Sequence, residues 1–286
     1  AYFRASAARR AWREAGLRAV VAQGVIDFPA PGVPDPAANL QVAADFMGEG
    51  EGGPQELITS TLFCHSPYTC QATTLQQSKA LTNHWGRPFF IHLAETREEV
   101  ELIRQRSGLS PVAYLDNLGI LDARTVVVHA VWLNEADQEL LARRQVKVCH
   151  CPESNLKLAA GVAPVPELLR LGVTVGLGTD GPASNNNLDM FGEMSLTARL
   201  HKVSHQDPAL LPARQVVELA TRGGAAVLGL DQVIGTLTPG READLIILDL
   251  QQPHLTPLFD PFSHLVYAAR GADVLGVLVR GRWLLQ

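Results

Sequence analysis

The sequence describes a folded globular chain that has ample material for a hydrophobic core. Its 286 residues are 47% hydrophobic and 19% charged, which argues against a disordered or fibrous protein. No apolar run approaches the roughly 20 residues of a membrane-spanning helix, and no signal-peptide pattern is visible. A net charge of −5 without a dense Lys/Arg block disfavours nucleic acid and membrane surfaces as partners. We therefore expect a cytoplasmic protein that acts on a small molecule.

Short apolar runs alternate with helical patterns along most of the chain. An arginine-rich segment at 3–17 is read as an amphipathic helix rather than a transit peptide, because Glu14 interrupts the basic residues. Strands are then predicted at 19–27, 56–64, 88–92, 125–129, 145–150 and 174–178, and helices at 36–47, 73–85, 96–105, 134–144, 165–171, 188–203 and 213–228. Such strict alternation predicts a parallel α/β sheet.

The number of β/α units favours a TIM-type (β/α)8 barrel. The opening helix should follow a strand, and the chain does not begin with Met, so two strands are expected upstream of Ala1. Residues 1–231 would then supply about six of the eight barrel strands. The alternative is a complete six-stranded open sheet, since a barrel without two strands exposes its edges.

The pattern changes in residues 232–286. The segments VIGTLTPGREADLIILDL and ADVLGVLVRGRWLL are strand-like and carry turn signals at Pro239-Gly240 and Gly281. A helical segment at 262–270 separates them. We predict that this region is the C-terminal part of a small β domain.

Five apolar runs end in a side chain that can bind a metal ion or carry a proton. They are TLFC before His65, PFFI before His92, TVVV before His129, VKVC before His150 and TVGLGT before Asp180. Parallel α/β folds place their chemistry at the carboxyl ends of the strands. We therefore expect an active site where these runs end.

The run that ends at His92 gives the clearest chemical signal. Thr96 and Glu99 have the spacing of a capping box, so a helix should begin at Thr96 and leave Glu95 in the preceding loop. In a loop, Glu95 can turn back toward the cavity that His92 faces. A histidine beside a solvated glutamate, without a catalytic role, is an equally common explanation of this segment alone.

His92 and Asp180 are predicted to bind one divalent metal ion. Imidazole and carboxylate groups suit Zn²⁺ or Fe²⁺, and such an ion lowers the pKa of a bound water to about 7. Glu95 and His129 are candidates to move protons. Structural roles stay open, because a lone histidine is often only hydrogen-bonded and Asp-Gly also forms turns. Two ligands, where three or more are expected, leave the set incomplete.

The four cysteines are expected to be reduced thiols. Cys64, Cys70, Cys149 and Cys151 lack CxxC spacing, which disfavours a disulfide framework or a zinc knuckle. Around His150, the two flanking cysteines point one way along a strand and the histidine points the other. His150 is therefore predicted to be structural.

These residues resemble the amidohydrolase superfamily of metal-dependent hydrolases, in particular the 5-methylthioadenosine/S-adenosylhomocysteine deaminases and their chlorohydrolase relatives. The resemblance covers nearly the whole chain through six motifs in the family's order. The motifs are HSPYTC from His65, HLAET from His92, the His129 strand, CHCPESNLKLAAG from Cys149, LGTDGPASNNNLDMFGEM from Leu177 and IGTLTPGREADLIILDL near the end.

The resemblance implies a barrel with a small β-sandwich domain, a divalent metal, most often zinc, and hydrolytic deamination of an aminopurine nucleoside. It implies that His92 and Asp180 bind the metal and that Asp180 also takes a proton from the attacking water. Glu95 would deliver a proton to the purine ring, His129 would orient the water, and His65 would hydrogen-bond the purine. Related enzymes are often homo-oligomers.

Two features depart from the family pattern. The sequence contains no His-x-His pair, which in the family ends the first barrel strand, and no arginine between Arg18 and Arg87 to hold a polar substrate tail. S-adenosylhomocysteine is thus in doubt, whereas methylthioadenosine, adenosine, another aminopurine and a triazine stay open. An inactive fragment that keeps a binding surface, and a metal-independent α/β binding protein, are the alternatives to an enzyme.

Overall fold

The structure is a computed structural model that describes residues 4–49 and 56–286. By its internal contacts the chain forms two compact units, one up to Val148 and one from Cys149 onward. Among the described residues, no helix combines the length and the apolar character that crossing a membrane requires.

The first unit contains a parallel sheet of four consecutive strands, as the alternating pattern predicts. They are β1 (Ala19–Val25), β2 (Ile58–Cys64), β3 (Phe89–Leu93) and β4 (Thr125–His129). Each pairs in parallel with the next, and the register brings Val25 beside Cys64, Cys64 beside Ile91, and Leu93 beside His129. The carboxyl ends of the four strands therefore lie along one edge of the sheet.

Helices of the first unit connect these strands. They are α1 (Ala5–Ala15), α2 (Asn39–Gly48, after a 3-10 turn at Pro36–Ala38), α3 (Ala72–His84), α4 (Arg97–Ser107), α5 (Pro111–Asn117) and α6 (Glu135–Arg143). Leu62, Phe89 and Ile91 are fully buried in the sheet and Leu75 and Ile103 in the helices, so the core lies between the two layers.

One charged side chain of this core has its partners beside it. Lys79 of α3 is only 3% exposed, and its ammonium group donates to Asp122 Oδ1 at 2.7 Å and to Thr125 Oγ1 at 3.0 Å. A buried cation without such partners would cost several kcal/mol. The pair ties α3 to the start of β4.

The strand β5 (Lys147–His150) spans the boundary between the units. The second unit continues with α7 (Pro152–Lys157), α8 (Val165–Arg170), β6 (Val175–Leu177), α9 (Pro182–Asn185), α10 (Met190–His205), α11 (Ala213–Glu218), a π-helical turn at Leu219–Gly223 and α12 (Gly224–Val227). Within this unit, the amide of Gly178 donates to the carbonyl of His150 at 2.9 Å.

The last part of the chain is antiparallel, as its change of pattern indicates. It contains β7 (Leu245–Leu248), α13 (Pro261–Tyr267), β8 (Val274–Val279) and β9 (Arg282–Leu285). The strands β7, β8 and β9 form a three-stranded antiparallel sheet in chain order.

The six strands predicted between residues 19 and 178 are confirmed with ends that differ by at most two residues, whereas only Leu245–Leu248 of the strand-like segment that begins at Val233 forms a strand. The helix predicted at 213–228 is interrupted by the π-helical turn, where the backbone packs closely on β6. A Cβ on Gly176 would lie 2.9 Å from Gly224 Cα, and a Cβ on Gly223 would clash with the carbonyl oxygen of Val175, so this contact requires glycine at positions 176 and 223. Three short helices, α5, α7 and α9, were not predicted from the sequence.

Candidate active site

Three histidines lie side by side at the carboxyl ends of β2, β3 and β4. The ring centroid of His92 is 5.3 Å from that of His65 and 5.2 Å from that of His129. The parallel register produces this arrangement, since the amide of His92 donates to the carbonyl of His65 and Leu93 pairs with His129. The structure thus brings together three of the residues that the sequence singles out.

His65 is held by its own loop. Its Nδ1 lies 2.8 Å from Thr69 Oγ1 and 3.2 Å from Ser66 Oγ, and its ring meets Tyr68 edge-on at 5.9 Å. Burial lowers the pKa of His65, so the neutral imidazole predominates at pH 7. A neutral ring can both donate and accept a hydrogen bond, which suits contact with the edge of a heterocycle.

Glu95 faces His129 across a gap. Glu95 Oε2 lies 3.8 Å from His129 Nε2, farther than a direct hydrogen bond. His129 is 1% exposed, and 23% of the Glu95 side chain is exposed. The loop position predicted for Glu95 therefore does bring its carboxylate to the edge where the histidines lie.

The backbone at these strand ends adopts left-handed conformations that non-glycine residues rarely use. The φ angles are 51° at Ala94, 74° at His129 and 50° at Ala130. Such residues persist only where surrounding contacts hold them, and they concentrate at functional sites. The contacts here are hydrogen bonds between the two turns: Ala130 N to Leu93 O at 3.1 Å and Trp132 N to Ala94 O at 2.8 Å.

Glu99 was not recognised as a site residue from the sequence. Its amide donates to Thr96 Oγ1 at 3.2 Å, as the capping spacing predicts, but its carboxylate reaches past Thr96. Oε1 accepts from Ala94 N at 2.8 Å and Oε2 from Glu95 N at 2.9 Å. Burial raises the pKa of Glu99 to about 7.

Asp180 belongs to the second unit, where two serines hold its carboxylate. Ser154 Oγ and Ser184 Oγ both donate to Asp180 Oδ2, at 2.7 and 2.6 Å. Asp180 has a φ of 59°, so it lies in a turn after β6. Ser154 belongs to the PESN segment of α7 and Ser184 to α9. Each of these two short helices therefore supplies one hydroxyl group that holds the carboxylate of Asp180.

A buried network lies behind these two helices. Asn185 Nδ2 donates to Glu153 Oε2 at 2.9 Å and to Glu193 Oε1 at 2.6 Å. Glu193 of α10 is fully buried, and burial raises its pKa to about 7. The network fixes α7 and α9 against α10.

Cys149, His150 and Cys151 lie in contact with neighbouring residues of the second unit. The two sulfur atoms lie 4.0 Å apart, and a Cβ on Gly178 would meet Cys149 Sγ at 2.6 Å. The neighbouring Cys149 and burial raise the pKa of the Cys151 thiol. The ring of His150 lies against that of His201 in α10, at 5.4 Å.

Imidazole and carboxylate groups at the ends of parallel strands are typical of metal-dependent α/β hydrolases. Residues 2–284 match the model of the Amidohydrolase family, and the chain belongs to this family.

Two curated relatives are deaminases. The chain is 46% identical over 274 residues to a 5-methylthioadenosine/S-adenosylhomocysteine deaminase of Syntrophobacter fumaroxidans. The aligned residues cover 96% of this chain and 62% of the relative. The chain is also 46% identical over 285 residues to a 5'-deoxyadenosine deaminase of Methanothermobacter thermautotrophicus. Here the aligned residues cover 100% of this chain and 66% of the relative. The chain therefore spans slightly less than two thirds of the length of these relatives.

Two solved structures share the fold. An adenosine deaminase from Xanthomonas campestris with bound zinc is 36% identical, with a TM-score of 0.96 over 100% of this chain and 64% of its own. An atrazine chlorohydrolase from Arthrobacter aurescens complexed with zinc is 24% identical, with a TM-score of 0.91 over 98% of this chain and 64% of its own. The second likeness bears on the fold alone.

Proposed function

We propose that this protein is a metal-dependent hydrolase that deaminates an aminopurine nucleoside. The observation that carries the proposal is the group formed by His65, His92, His129 and Glu95 at one edge of the sheet. Two relatives at 46% identity are named for deamination of adenosine-type nucleosides. In such a reaction water adds to the carbon that bears the amino group, ammonia leaves, and the inosine analogue is the product.

His92 and Asp180 are the proposed metal ligands. The donor types fit a divalent ion of the zinc or iron class, and we favour zinc because the 36% identical adenosine deaminase from Xanthomonas campestris is described with bound zinc. Asp180 accepts two hydroxyl hydrogen bonds on one oxygen, which stabilises the ionised carboxylate that a metal requires. When bound, the ion lowers the pKa of a water to about 7 and so provides a nucleophile at neutral pH.

The remaining residues have proton-transfer and binding roles in this proposal. Asp180 accepts a proton from the attacking water, and Glu95 delivers a proton to the ring nitrogen of the purine. His129, buried beside Glu95, orients the water and stabilises developing negative charge. His65, which is neutral and held by Thr69, hydrogen-bonds the purine. Proton transfer by positioned groups of this kind contributes about 10²- to 10⁴-fold to rate.

We extend the proposal to architecture and location. The parallel strands of the first unit are proposed to belong to a (β/α)8 barrel, and residues 232–286 to a small β domain, because β7 to β9 are antiparallel. A cytoplasmic location is proposed because the four cysteines are free thiols, as in reducing compartments.

An ammonia-release assay tests the activity. The full-length protein, loaded with zinc, would be offered methylthioadenosine, 5'-deoxyadenosine, adenosine, S-adenosylhomocysteine and an aminotriazine. Release of ammonia from at least one nucleoside, lost on chelation and restored by zinc, is the expected result. Metal-loaded protein that deaminates none of them would refute the proposal. Chloride release from a chlorotriazine, without nucleoside turnover, would instead support the chlorohydrolase alternative.

A further inference from the structure

Glu99 is a buried carboxylate in α4, the helix that follows β3. Among the described residues, its oxygens accept hydrogen bonds from backbone amides and not from His65 or His92. Glu99 is 4% exposed and lies in the first turn of α4. Burying a carboxylate is costly unless hydrogen bonds compensate. Both of its oxygens accept from backbone amides, those of Ala94 and Glu95, so the compensation comes from the turn that carries Glu95.

That turn is conformationally strained. Ala94 is fully buried with a φ of 51°, a conformation that costs an alanine roughly 1 kcal/mol or more. Glu99 accepts from the amides of the two successive peptides that flank Ala94, Leu93–Ala94 and Ala94–Glu95. The two bonds fix the direction in which the chain leaves β3 and therefore the position of the Glu95 carboxylate.

The same turn also holds the end of β4. The carbonyl of Ala94 accepts from Val131 N at 3.1 Å and from Trp132 N at 2.8 Å. These amides follow His129 and Ala130, which have positive φ angles themselves. A shift of the Ala94 peptide would therefore move the backbone beside His129 as well as Glu95.

We propose that Glu99 is a positioning residue that sets the relative placement of Glu95 and His129 by fixing the Ala94–Glu95 peptide. The inference rests on the proposed function in that Glu95 and His129 are taken as the proton-transfer groups. A displacement of about 1 Å can cost on the order of 10²-fold in rate, so a residue that never touches substrate can control turnover here.

The test compares two single variants that make the same Glu-to-Gln substitution in one turn of α4. In Glu99→Gln, one amide nitrogen replaces one acceptor oxygen, so only one of the two backbone amides keeps its bond. Glu98 is the adjacent, exposed residue of the same helical turn, and Glu98→Gln is the matched control. We expect kcat to fall about 100-fold in Glu99→Gln, with KM changed by less than about threefold and zinc content retained. Glu98→Gln should behave as wild type.

A double-variant cycle separates positioning from general destabilisation. If Glu99 acts through Glu95, adding Glu99→Gln to Glu95→Gln should lower kcat by less than about threefold further, because the group being positioned is already lost. Glu99→Asp, which keeps both acceptor oxygens, should retain more activity than Glu99→Gln. The proposal would be overturned if the kcat losses of Glu95→Gln and Glu99→Gln multiplied fully in the double variant. It would also be overturned if Glu99→Gln and Glu98→Gln had equal kcat values.

Hydrogen exchange provides a readout that needs no turnover. The amides of Ala94 and Glu95 should exchange faster in Glu99→Gln than in wild type and be unchanged in Glu98→Gln. Equal protection in the three proteins would refute the positioning role even if the protein has another activity. Faster exchange in a protein that releases no ammonia would refute the proposed function and leave the structural part of the inference standing.

Discussion

The carboxylate of Glu95 lies 3.8 Å from Nε2 of His129 at the ends of two adjacent parallel strands. Both side chains are anchored by backbone turns with positive φ angles at Ala94, His129 and Ala130. The separation is too long for a direct hydrogen bond, and it leaves Glu95 Oε2 able to approach a substrate atom while His129 remains beside it.

Replacing the carboxylate of Glu95 should abolish proton delivery without unfolding the protein. Glu95→Gln preserves the size of the side chain, which is partly exposed. We expect kcat for nucleoside deamination to fall by about 10²- to 10⁴-fold, with the melting temperature and zinc content close to wild type. A fully active Glu95→Gln protein would remove Glu95 from the mechanism.

Removing either serine that contacts Asp180 should weaken metal binding. Ser154 and Ser184 donate to the same carboxylate oxygen, and partners of metal ligands typically contribute about 10- to 100-fold in affinity. We expect Ser154→Ala and Ser184→Ala each to lower zinc affinity about 10-fold in a chelator competition. Ser6, an exposed residue of α1, offers a Ser→Ala control. Unchanged affinity in both variants would contradict Asp180 as a ligand.

The sequence predicts the strands well, and also the histidines at their ends, because an apolar run and the side chain that follows it can be recognised from neighbouring residues alone. His65, His92 and His129 come together through the parallel register, which follows from adjacent strand order. The helices α5, α7 and α9 contain only four to seven residues, too few for a helical period to be recognised.

Side-chain partners are harder to predict from sequence. The Ser154–Asp180 bond joins residues 26 positions apart, and no local pattern specifies it. The Thr96–Glu99 spacing predicts the start of α4, but the destination of the Glu99 carboxylate depends on the turn at Ala94, whose conformation is stabilised by hydrogen bonds from the residues that follow β4.

The substrate preference should disfavour a charged tail. Between Arg18 and Arg87 the sequence has no arginine and one lysine, Lys79, and its ammonium group is buried against Asp122 and Thr125. We expect a higher kcat/KM for methylthioadenosine than for S-adenosylhomocysteine, because no cation from this segment can pair with the carboxylate of the latter. Parallel kinetics on the two nucleosides check this, and an equal or reversed order would show that the carboxylate is bound from elsewhere.

Acid should destabilise the second unit through His201. This residue of α10 is fully buried, and both of its ring nitrogens lack a hydrogen-bond partner among the described residues. Burial lowers its pKa from 6.5 to about 4. The folded state therefore binds the proton less tightly than the unfolded state, so the contribution of His201 to stability is complete above pH 6.5 and is lost as the pH falls toward 4.

His201→Leu should remove that part of the pH dependence. One pKa unit corresponds to about 1.4 kcal/mol, so the shift amounts to at most about 3 kcal/mol of unfolding free energy between pH 7 and pH 4. Leucine fills a similar volume without polar atoms that need partners. Urea unfolding at pH 7 and at pH 4.5 should show a smaller loss of stability in His201→Leu than in wild type. His84→Leu, at an exposed histidine of α3, should keep the wild-type loss, and an unchanged pH dependence in His201→Leu would show that other groups cause the acid sensitivity.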